Sequence, residues 1–264
     1  KLVDAALLDF LRGHDKAITA LEILSDSVFA ALPELKVISK YGVGLDMIDL
    51  DAMTKRGVKL GWTGGVNRRS VSELVISFAI SLLRHVPAAH REVLGGTWRQ
   101  HVGRQLSGKT VGIIGLGHVG RRVAALCGTL FSMRVLAFDP YLEDGDFAER
   151  GAIKASWDDL LATADYITVH CPRTAETEDF LNHKSFNQMK PGAIFINTAR
   201  GGIHDEAALF AALDSGHLAA AGLDVWAVEP PASDHPLLSL SNVLASPHTA
   251  GVTHESRHLM GTYA

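Results

Sequence analysis

Residues 110–120 place the strongest constraint on the fold of this chain. The segment reads TVGIIGLGHVG, an apolar β-branched run that leads into the glycines Gly115, Gly117 and Gly120, after which apolar residues continue at helical spacing. This order predicts a strand, a tight turn and a helix, with glycines where the backbone turns and approaches a ligand. The unpaired N–H groups at the start of such a helix suit a pyrophosphate.

An acidic residue follows the glycine motif at the spacing of a dinucleotide site. Nineteen residues after Gly120, a second apolar run ends in Asp139. A carboxylate at this position can accept both ribose hydroxyls of an adenosine, and it would repel a 2′-phosphate. The two features predict NAD as cofactor in preference to NADP. The alternative interpretation is a glycine-rich turn followed by a solvated Asp-Pro turn.

Strand-like and helix-like segments alternate along the chain, without internal repeats. The predicted strands cover residues 36–39, 58–61, 110–115, 134–138, 166–170, 193–197, 220–225 and 242–246. The predicted helices cover residues 46–56, 70–85, 118–130, 156–163 and 205–215. Such alternation predicts α/β architecture with parallel, doubly wound sheets.

The predicted helix over residues 70–85 is apolar around most of its circumference. Its polar stripe consists of Glu73, Ser77, Ser81 and Arg84. A helix of this kind is buried, either between domains or against a second subunit. Since Trp98 follows soon after, we expect this region to contribute to a two-fold homodimer.

Composition restricts the classes of partner. The formal net charge of −4 gives no broad attraction to nucleic acid or to an anionic membrane. The two cysteines, Cys127 and Cys171, form no disulfide framework and have no neighbouring ligands at metal spacing. No apolar run approaches the roughly 18 residues that span a bilayer. We therefore expect a cytoplasmic protein without a metal site and without a nucleic-acid or membrane partner.

Three polar residues interrupt apolar segments in the last third of the chain. Arg200, Glu229 and His248 each lie just past the carboxyl end of a predicted parallel strand, and ligands of open α/β sheets bind at that edge. A cation, a carboxylate and an imidazole form a complete acid/base set for a hydroxyl or carbonyl beside a carboxylate. Individually, each residue also fits a solvated loop or turn.

With these motifs, the sequence resembles the D-isomer-specific 2-hydroxyacid dehydrogenases, especially the 3-phosphoglycerate dehydrogenase branch. The resemblance extends over nearly the whole chain. Besides the nucleotide motif, it rests on residues 38–52 (ISKYGVGLDMIDLDA), 67–84 (NRRSVSELVISFAISLLR), 169–182 (VHCPRTAETEDFLN), 189–209 (MKPGAIFINTARGGIHDEAAL), 222–231 (GLDVWAVEPP) and 246–251 (SPHTAG).

The resemblance implies a role for each candidate site residue. Arg200, Glu229 and His248 would form the catalytic set. The NAD site would comprise Gly115, Gly117, His118, Val119, Gly120, Asp139, Cys171, Pro172, Thr198, Ala199, Asp224 and Gly251. The substrate would be bound by Arg200 together with Lys40, Val43 and Gly44 from the other domain.

The resemblance also implies hydride transfer between C2 of a 2-hydroxy or 2-keto acid and C4 of the nicotinamide, with a phosphoglycerate-like acid among the candidates. His248 would exchange the hydroxyl proton, and Glu229 would fix the imidazole tautomer. The rival interpretation is an NAD-sensing protein-interaction module, because corepressors share this family. Formate oxidation is disfavoured, since formate-oxidising relatives carry Gln where Glu229 stands.

We expect two doubly wound, Rossmann-like domains. Residues 1–72 with about 252–264 would form the substrate domain, 73–105 an interdomain and dimerisation arm, and 106–251 the NAD-binding domain. Members of the family usually have about one more element at each end, so the first domain is expected to be incomplete at both chain ends. In addition, residues 16–24 contain Thr19 and Glu22 and no arginine, whereas the phosphoglycerate branch tends to place arginines around the substrate.

Overall fold

The computed structural model describes residues 2–264, which form two compact units. The first unit comprises residues 2–67 and Val252–Ala264, and the second comprises Arg68–Gly251. Residues 73–105, predicted as a separate arm, therefore cluster with the second unit. The reason lies in the helix at the start of this segment, which packs against a helix and two strands of that unit.

The chain contains short parallel strands and helices in alternation. The strands are β1 (Lys16–Thr19), β2 (Val37–Lys40), β3 (Lys59–Gly61), β4 (Thr110–Ile114), β5 (Arg134–Phe138), β6 (Ile153–Lys154), β7 (Tyr166–Val169), β8 (Ile194–Asn197), β9 (Ala220–Leu223) and β10 (Val243–Ala245). The helices are α1 (Asp4–Leu11), α2 (Asp26–Ala31), α3 (Leu50–Lys55), α4 (Arg68–Leu83), α5 (Val86–Leu94), α6 (His118–Phe131), α7 (Asp144–Glu149), α8 (Trp157–Thr163), α9 (His183–Gln188), α10 (Glu206–Asp214), α11 (Pro236–Ser239) and α12 (His254–Thr262).

The first unit is built on a three-stranded parallel sheet in the order β1-β2-β3. Its core is formed by apolar side chains from the strands and from α1, α2 and α3, including the fully buried Leu24 and Ile38. Strand β1 lies at the edge of the sheet and exposes Ile18. Its four-residue sequence KAIT has too weak a pattern to predict a strand, so β1 is absent from the predicted strands.

The second unit is built on a seven-stranded parallel sheet in the order β10-β9-β8-β7-β4-β5-β6. The chain extends from β4 through β5 to β6 in one direction, and from β7 to β10 in the other. The change of direction places a topological switch point between β4 and β7, where doubly wound sheets bind their ligands. Strands β7, β8 and β9 are buried along their whole length, as expected for a sheet covered by helices on both faces.

Helix α4 is covered around most of its circumference and exposes only a narrow stripe beyond its first turn. Val75, Phe78 and Ala79 pack into the core of the second unit, whereas Glu73, Ser77 and Ile80 are exposed. Most of this helix is therefore covered, as its sequence pattern predicts, and the exposed stripe includes the predicted Glu73 and Ser77. No single helix of residues 2–264 is long and apolar enough to cross a membrane, and α4 with α5 meets the length and composition criteria only as a pair bent by 62°.

The contact of β4 with α8 generates a stability prediction. A Cβ on Gly112 would lie 2.7 Å from Leu160 Cδ2 and 3.0 Å from Ala164 Cβ, and both neighbours are fully buried. Gly112→Ala should therefore destabilise the protein by about 1–3 kcal/mol through overpacking. Gly145→Ala is the matched control, because nothing lies within 4 Å of its added Cβ. Thermal unfolding should show a lower Tm for the first variant only, and equal Tm values would contradict the packing argument.

Candidate active site at the carboxyl edge of the second sheet

The glycine motif forms the turn between β4 and α6 that the sequence predicts. Gly115 has φ +89°, and a Cβ on it would lie 2.7 Å from the backbone nitrogen of Cys171, directly after β7. A Cβ on Gly120 would lie 2.1 Å from the carbonyl oxygen of Gly115. A Cβ on Gly117 would contact nothing within 4 Å, so the turn is open at this residue. The motif thus lies at the switch point and presents backbone to open space.

Asp139 and Arg150 hold the middle of this turn. Asp139 Oδ2 accepts a hydrogen bond from the backbone nitrogen of Leu116 at 2.9 Å, and Oδ1 accepts one from the nitrogen of Tyr141 at 3.1 Å. Arg150 Nη1 donates to the carbonyl oxygen of Leu116 at 2.9 Å. The carboxylate predicted to bind ribose therefore also orders the glycine turn. The sequence carries no signal for this role of Arg150, because the residue lies 34 residues from Leu116.

The first turn of α6 carries His118 and Val119, both predicted to contact the cofactor. Arg121 Nη2 lies 3.1 Å from His118 Nδ1. Burial lowers the pKa of His118, and the positive charges of Arg121, Arg68 and Arg150 lower it further. Positive charge is therefore concentrated at the amino end of α6, where the helix dipole also favours an anion.

Residues at the ends of β7 and β8 border the same edge. The Cys171 thiol is half-buried, and burial raises its pKa to about 11, so it stays protonated at neutral pH. Pro172 follows it and accepts a hydrogen bond from Thr177 Oγ1 through its carbonyl oxygen. Thr198 Oγ1 is buried without a hydrogen-bond partner among the residues described. An unsatisfied hydroxyl at the same sheet edge as the open glycine turn fits a bound dinucleotide, which offers polar groups and anionic oxygens.

The backbone around Arg200 is held by Asn197 at the end of β8. Asn197 is fully buried; its Oδ1 accepts a hydrogen bond from the nitrogen of Ala199, and its Nδ2 donates to the carbonyl oxygen of Arg200, both at 2.9 Å. The Arg200 guanidinium donates to the carbonyl oxygen of Ala199 at 2.7 Å. The segment is therefore an ordered turn, although its sequence also fits a solvated loop.

Glu229 and His248 form a hydrogen-bonded pair. His248 Nδ1 lies 2.8 Å from Glu229 Oε2, while Glu229 Oε1 accepts from the backbone nitrogen of Trp226 at 3.1 Å. The two side chains are 45% and 38% exposed, so a ligand can reach the pair. His248 has φ +53°, a costly conformation for a residue with a Cβ. Because His248 Nδ1 is bonded to Glu229, Nε2 is the imidazole nitrogen that can exchange a proton with a substrate.

Asp224 holds the turn that carries His248. Its carboxylate is fully buried and accepts hydrogen bonds from the backbone nitrogens of Thr249 and Ala250, both at 2.8 Å, and from the Ser246 hydroxyl. Its carbonyl oxygen accepts from the nitrogen of His248 at 2.8 Å. The observed contacts of Asp224 order the segment that ends at Gly251, and its predicted contact with NAD remains a prediction.

The segments that carry Arg200 and Glu229 are in direct contact. A Cβ on Gly201 would lie 1.8 Å from the carbonyl oxygen of Trp226, so only glycine permits this approach. The structure thus brings the Arg200, Glu229 and His248 segments to one edge of one sheet, as the positions of the strands predict.

The predicted substrate residues of the first unit lie at the end of β2. Lys40 is buried, and its ammonium donates to the carbonyl oxygens of Ala20 and Tyr41. The carbonyl oxygen of Val43 accepts from Trp62 Nε1 at 3.1 Å, and Gly44 is half-buried in the same loop. These contacts order the glycine-rich loop, whereas substrate binding by Lys40, Val43 and Gly44 remains a prediction.

No group of three or more His, Cys, Asp or Glu side chains within residues 2–264 is arranged to hold a metal ion. The residues described above that carry the candidate chemistry are the arginine, the carboxylate–imidazole pair and the dinucleotide turn.

Comparison with known proteins identifies relatives of this chain. Residues 76–250 match the NAD-binding domain of the D-isomer specific 2-hydroxyacid dehydrogenases. A D-3-phosphoglycerate dehydrogenase from Archaeoglobus fulgidus is 44% identical over 89% of the chain and 45% of its own length. A hydroxypyruvate reductase from Thermotoga maritima is 37% identical over 92% of the chain and 79% of its own length.

Solved structures agree with these sequence matches. A D-lactate dehydrogenase from Aquifex aeolicus, solved with NAD and lactic acid, superposes with a TM-score of 0.86 at 30% identity, over 97% of this chain and 83% of the other. The chain spans less than half the length of the phosphoglycerate dehydrogenases that it matches.

The buried imidazole of His204, next to Asn197, generates a prediction about pH. Burial lowers the pKa of His204 to about 4, below the ordinary value of about 6.5. Between these values the unfolded chain binds a proton that the folded chain does not, so stability falls as pH decreases from 6.5 to 4. His204→Leu should abolish this contribution, roughly 3 kcal/mol over the interval. Urea unfolding across this range should show a shallower pH dependence for the variant; parallel curves would contradict the prediction.

Proposed function

Since the chain belongs to the D-isomer specific 2-hydroxyacid dehydrogenase family, with residues 76–250 matching its NAD-binding domain, we propose that it catalyses hydride transfer between C2 of a small 2-hydroxy acid and NAD. The observation that carries this proposal is the hydrogen bond between His248 Nδ1 and Glu229 Oε2, at the same sheet edge as Arg200. Together they supply an anion-binding group, a proton-transfer group and a charge that orients it.

Arg200 would bind the substrate carboxylate and the C2 oxygen. A guanidinium presents its N–H groups in a planar fork that matches a carboxylate, and its charge polarises an adjacent carbonyl. The turn fixed by Asn197 holds the backbone of Arg200 and leaves less conformational freedom to lose on binding.

His248 would exchange the hydroxyl proton through Nε2. In oxidation, Nε2 accepts the proton from the C2 hydroxyl, and in reduction it returns the proton to the keto oxygen. Glu229 accepts a hydrogen bond from Nδ1 and therefore keeps Nε2 available for the substrate. Its negative charge also stabilises the imidazolium that forms during oxidation.

The dinucleotide would be held by the glycine turn, the amino end of α6 and the Asp139 carboxylate, with Thr198 Oγ1 as a further polar contact. When bound, the nicotinamide supplies or accepts the hydride. The positive charge around His118 and Arg121 suits the pyrophosphate, and Asp139 suits the unphosphorylated ribose.

The direct test is oxidation of NADH with a panel of 2-keto acids that includes hydroxypyruvate, glyoxylate, pyruvate and 3-phosphohydroxypyruvate. We expect turnover with at least one of them. If NADH binds and none is turned over, the enzymatic proposal fails and an NAD-dependent interaction module becomes the better account.

We also propose that the chain forms a homodimer through α4, α5 and the segment that follows. Exposed apolar side chains lie along this stretch, namely Ile80, Val86, Val93, Leu94, Trp98 and Val102. Trp98 is 85% exposed, and a large apolar side chain in this position suits a contact with a second copy.

The proposed roles of His248 and Arg200 predict different kinetic losses. His248→Ala should lower kcat by about a hundredfold or more, the usual scale for loss of a general acid. Arg200→Lys should mainly raise KM for the keto acid, since an ammonium cannot reproduce the fork. NADH affinity, measured by fluorescence titration, should change little in either variant. His183→Ala, an exposed histidine at the start of α9, is the control. Comparable kcat for His248→Ala and the control would refute the proton-transfer role.

Asp139 should determine the choice of cofactor. Removal of its charge in Asp139→Asn should lower the ratio of kcat/KM for NADH to that for NADPH by about tenfold or more, because repulsion of the 2′-phosphate is lost. Asparagine keeps an oxygen that can accept from Leu116, so the glycine turn is preserved. Asp139→Ala should lower the same ratio and also weaken the binding of both cofactors. A wild-type protein that uses both cofactors equally well would contradict this assignment.

The dimer proposal predicts that Trp98→Glu yields a monomer at micromolar concentration, because a buried carboxylate without a partner is costly. Leu130→Glu, at an exposed leucine of α6, should leave the assembly unchanged. Sedimentation velocity distinguishes the species; a monomeric wild-type protein would exclude the proposed interface.

A further inference from the structure

The turn that carries Arg200 depends on a fully buried amide whose orientation is fixed by its partners. Asn197 Oδ1 accepts from the backbone nitrogen of Ala199, and Nδ2 donates to the carbonyl oxygen of Arg200. Exchange of the two amide atoms would place a donor against a donor and an acceptor against an acceptor. Asn197 Nδ2 therefore carries the second hydrogen of the amide toward its remaining neighbour, His204.

His204 accepts that second hydrogen. Its Nδ1 lies 3.1 Å from Asn197 Nδ2, and the side chain is 1% exposed. Because the amide can only donate in this direction, Nδ1 carries no proton, and the hydrogen of the neutral ring is on Nε2. Burial lowers the pKa of His204 to about 4, which keeps the ring neutral at physiological pH and Nδ1 able to accept.

The other ring nitrogen of His204 has no comparable partner. Nε2 is buried and makes no hydrogen bond to any residue that the structure describes. The ring packs edge-on against Phe195 at 5.3 Å between centroids, in an otherwise apolar core. A leucine would fill such a site without a buried, unsatisfied N–H group, so packing alone gives no reason for an imidazole here. Among residues 2–264, the imidazole makes its one hydrogen bond with Asn197.

We propose that His204 is a positioning residue for Arg200 and acts through Asn197. The order of contacts is His204 Nδ1 to Asn197 Nδ2, and Asn197 to the backbone of Ala199 and Arg200. His204 lies seven residues along the chain from Asn197. It touches neither substrate nor cofactor in this scheme, and it limits the motion of the turn from which the guanidinium projects. The inference rests on the proposed function of Arg200 as the carboxylate-binding group.

Three variants separate positioning from packing. His204→Leu removes both the Nδ1 acceptor and the unsatisfied Nε2–H group, while His204→Asn retains an oxygen near the position of Nδ1. His217→Leu is the matched control, because His217 Nε2 is also buried without a partner and lies before β9, at the opposite edge of the sheet.

For His204→Leu we expect KM for the best 2-keto acid to rise about fivefold, the scale of one lost hydrogen bond. The dissociation constant of NADH should not rise, and the Tm should not fall. His204→Asn should restore most of the wild-type KM, and His217→Leu should leave it unchanged. An unchanged KM in His204→Leu, or a rise that accompanies lower Tm and weaker NADH binding, would overturn the inference.

Amide hydrogen exchange tests the same link without catalysis. In His204→Leu the amide of Ala199 should exchange about tenfold faster, because the asparagine that accepts it is less restrained; it should be unaffected in His217→Leu. Unchanged exchange at Ala199 overturns the inference whatever the activity. If the wild type reduces no 2-keto acid while exchange responds as expected, the proposed function fails and the structural link from His204 to the turn stands.

Discussion

The parallel pairing of seven strands in one sheet determines where each candidate functional side chain of the second unit lies. Because all strands of the sheet point the same way, the residues that follow β4, β5, β7, β8, β9 and β10 all emerge at one edge. The glycine turn, Asp139, Thr198, Arg200 and His248 come from segments far apart in sequence and meet there. The close approach of Gly115 to Cys171 then brings the dinucleotide turn against the end of β7, at the point where strand order reverses.

Buried polar groups below this edge hold the exposed ones. Asp224 satisfies three donors of the turn around His248, and Asn197 satisfies a donor and an acceptor of the turn around Arg200. Burial of such groups is favourable only when their hydrogen bonds are made. Each buried group therefore restricts the conformation of the turn to which it is bonded. The side chains of Glu229 and His248 remain partly exposed to solvent, while the backbone of the turns around Arg200 and His248 is fixed from inside the unit.

The sequence predicted the strands and the edge more fully than the contacts within the site. Six of the seven strands of the second unit, the glycine turn and the positions of Arg200, Glu229 and His248 follow from periodicity and from the resemblance to a family, whereas the two-residue β6 was not predicted. The link from Asp139 to Leu116 did not, because it depends on a register between β4 and β5 that one sequence leaves open. Asn197 and His204 look like ordinary strand and loop residues, and their roles depend on burial. The burial of the Lys40 ammonium against backbone carbonyls could not be predicted either, because it depends on the fold around the end of β2. The exposed Ile80 shows that the apolar pattern of α4 does not indicate every side chain that the same chain leaves uncovered.

The close packing of Gly201 against Trp226 limits how this site can diversify. The two segments fit so tightly that neither can lengthen, shift or gain a side chain at the contact without displacing the other. Sequence libraries that vary only the turn around Arg200, residues 198–202, would mostly yield misfolded proteins. Libraries that vary residues 198–202 and 226–230 together would sample pairs of segments with compatible shapes. A different size of the proposed site is then reached more easily by substitutions outside this contact than by changes in the two loops that meet at it.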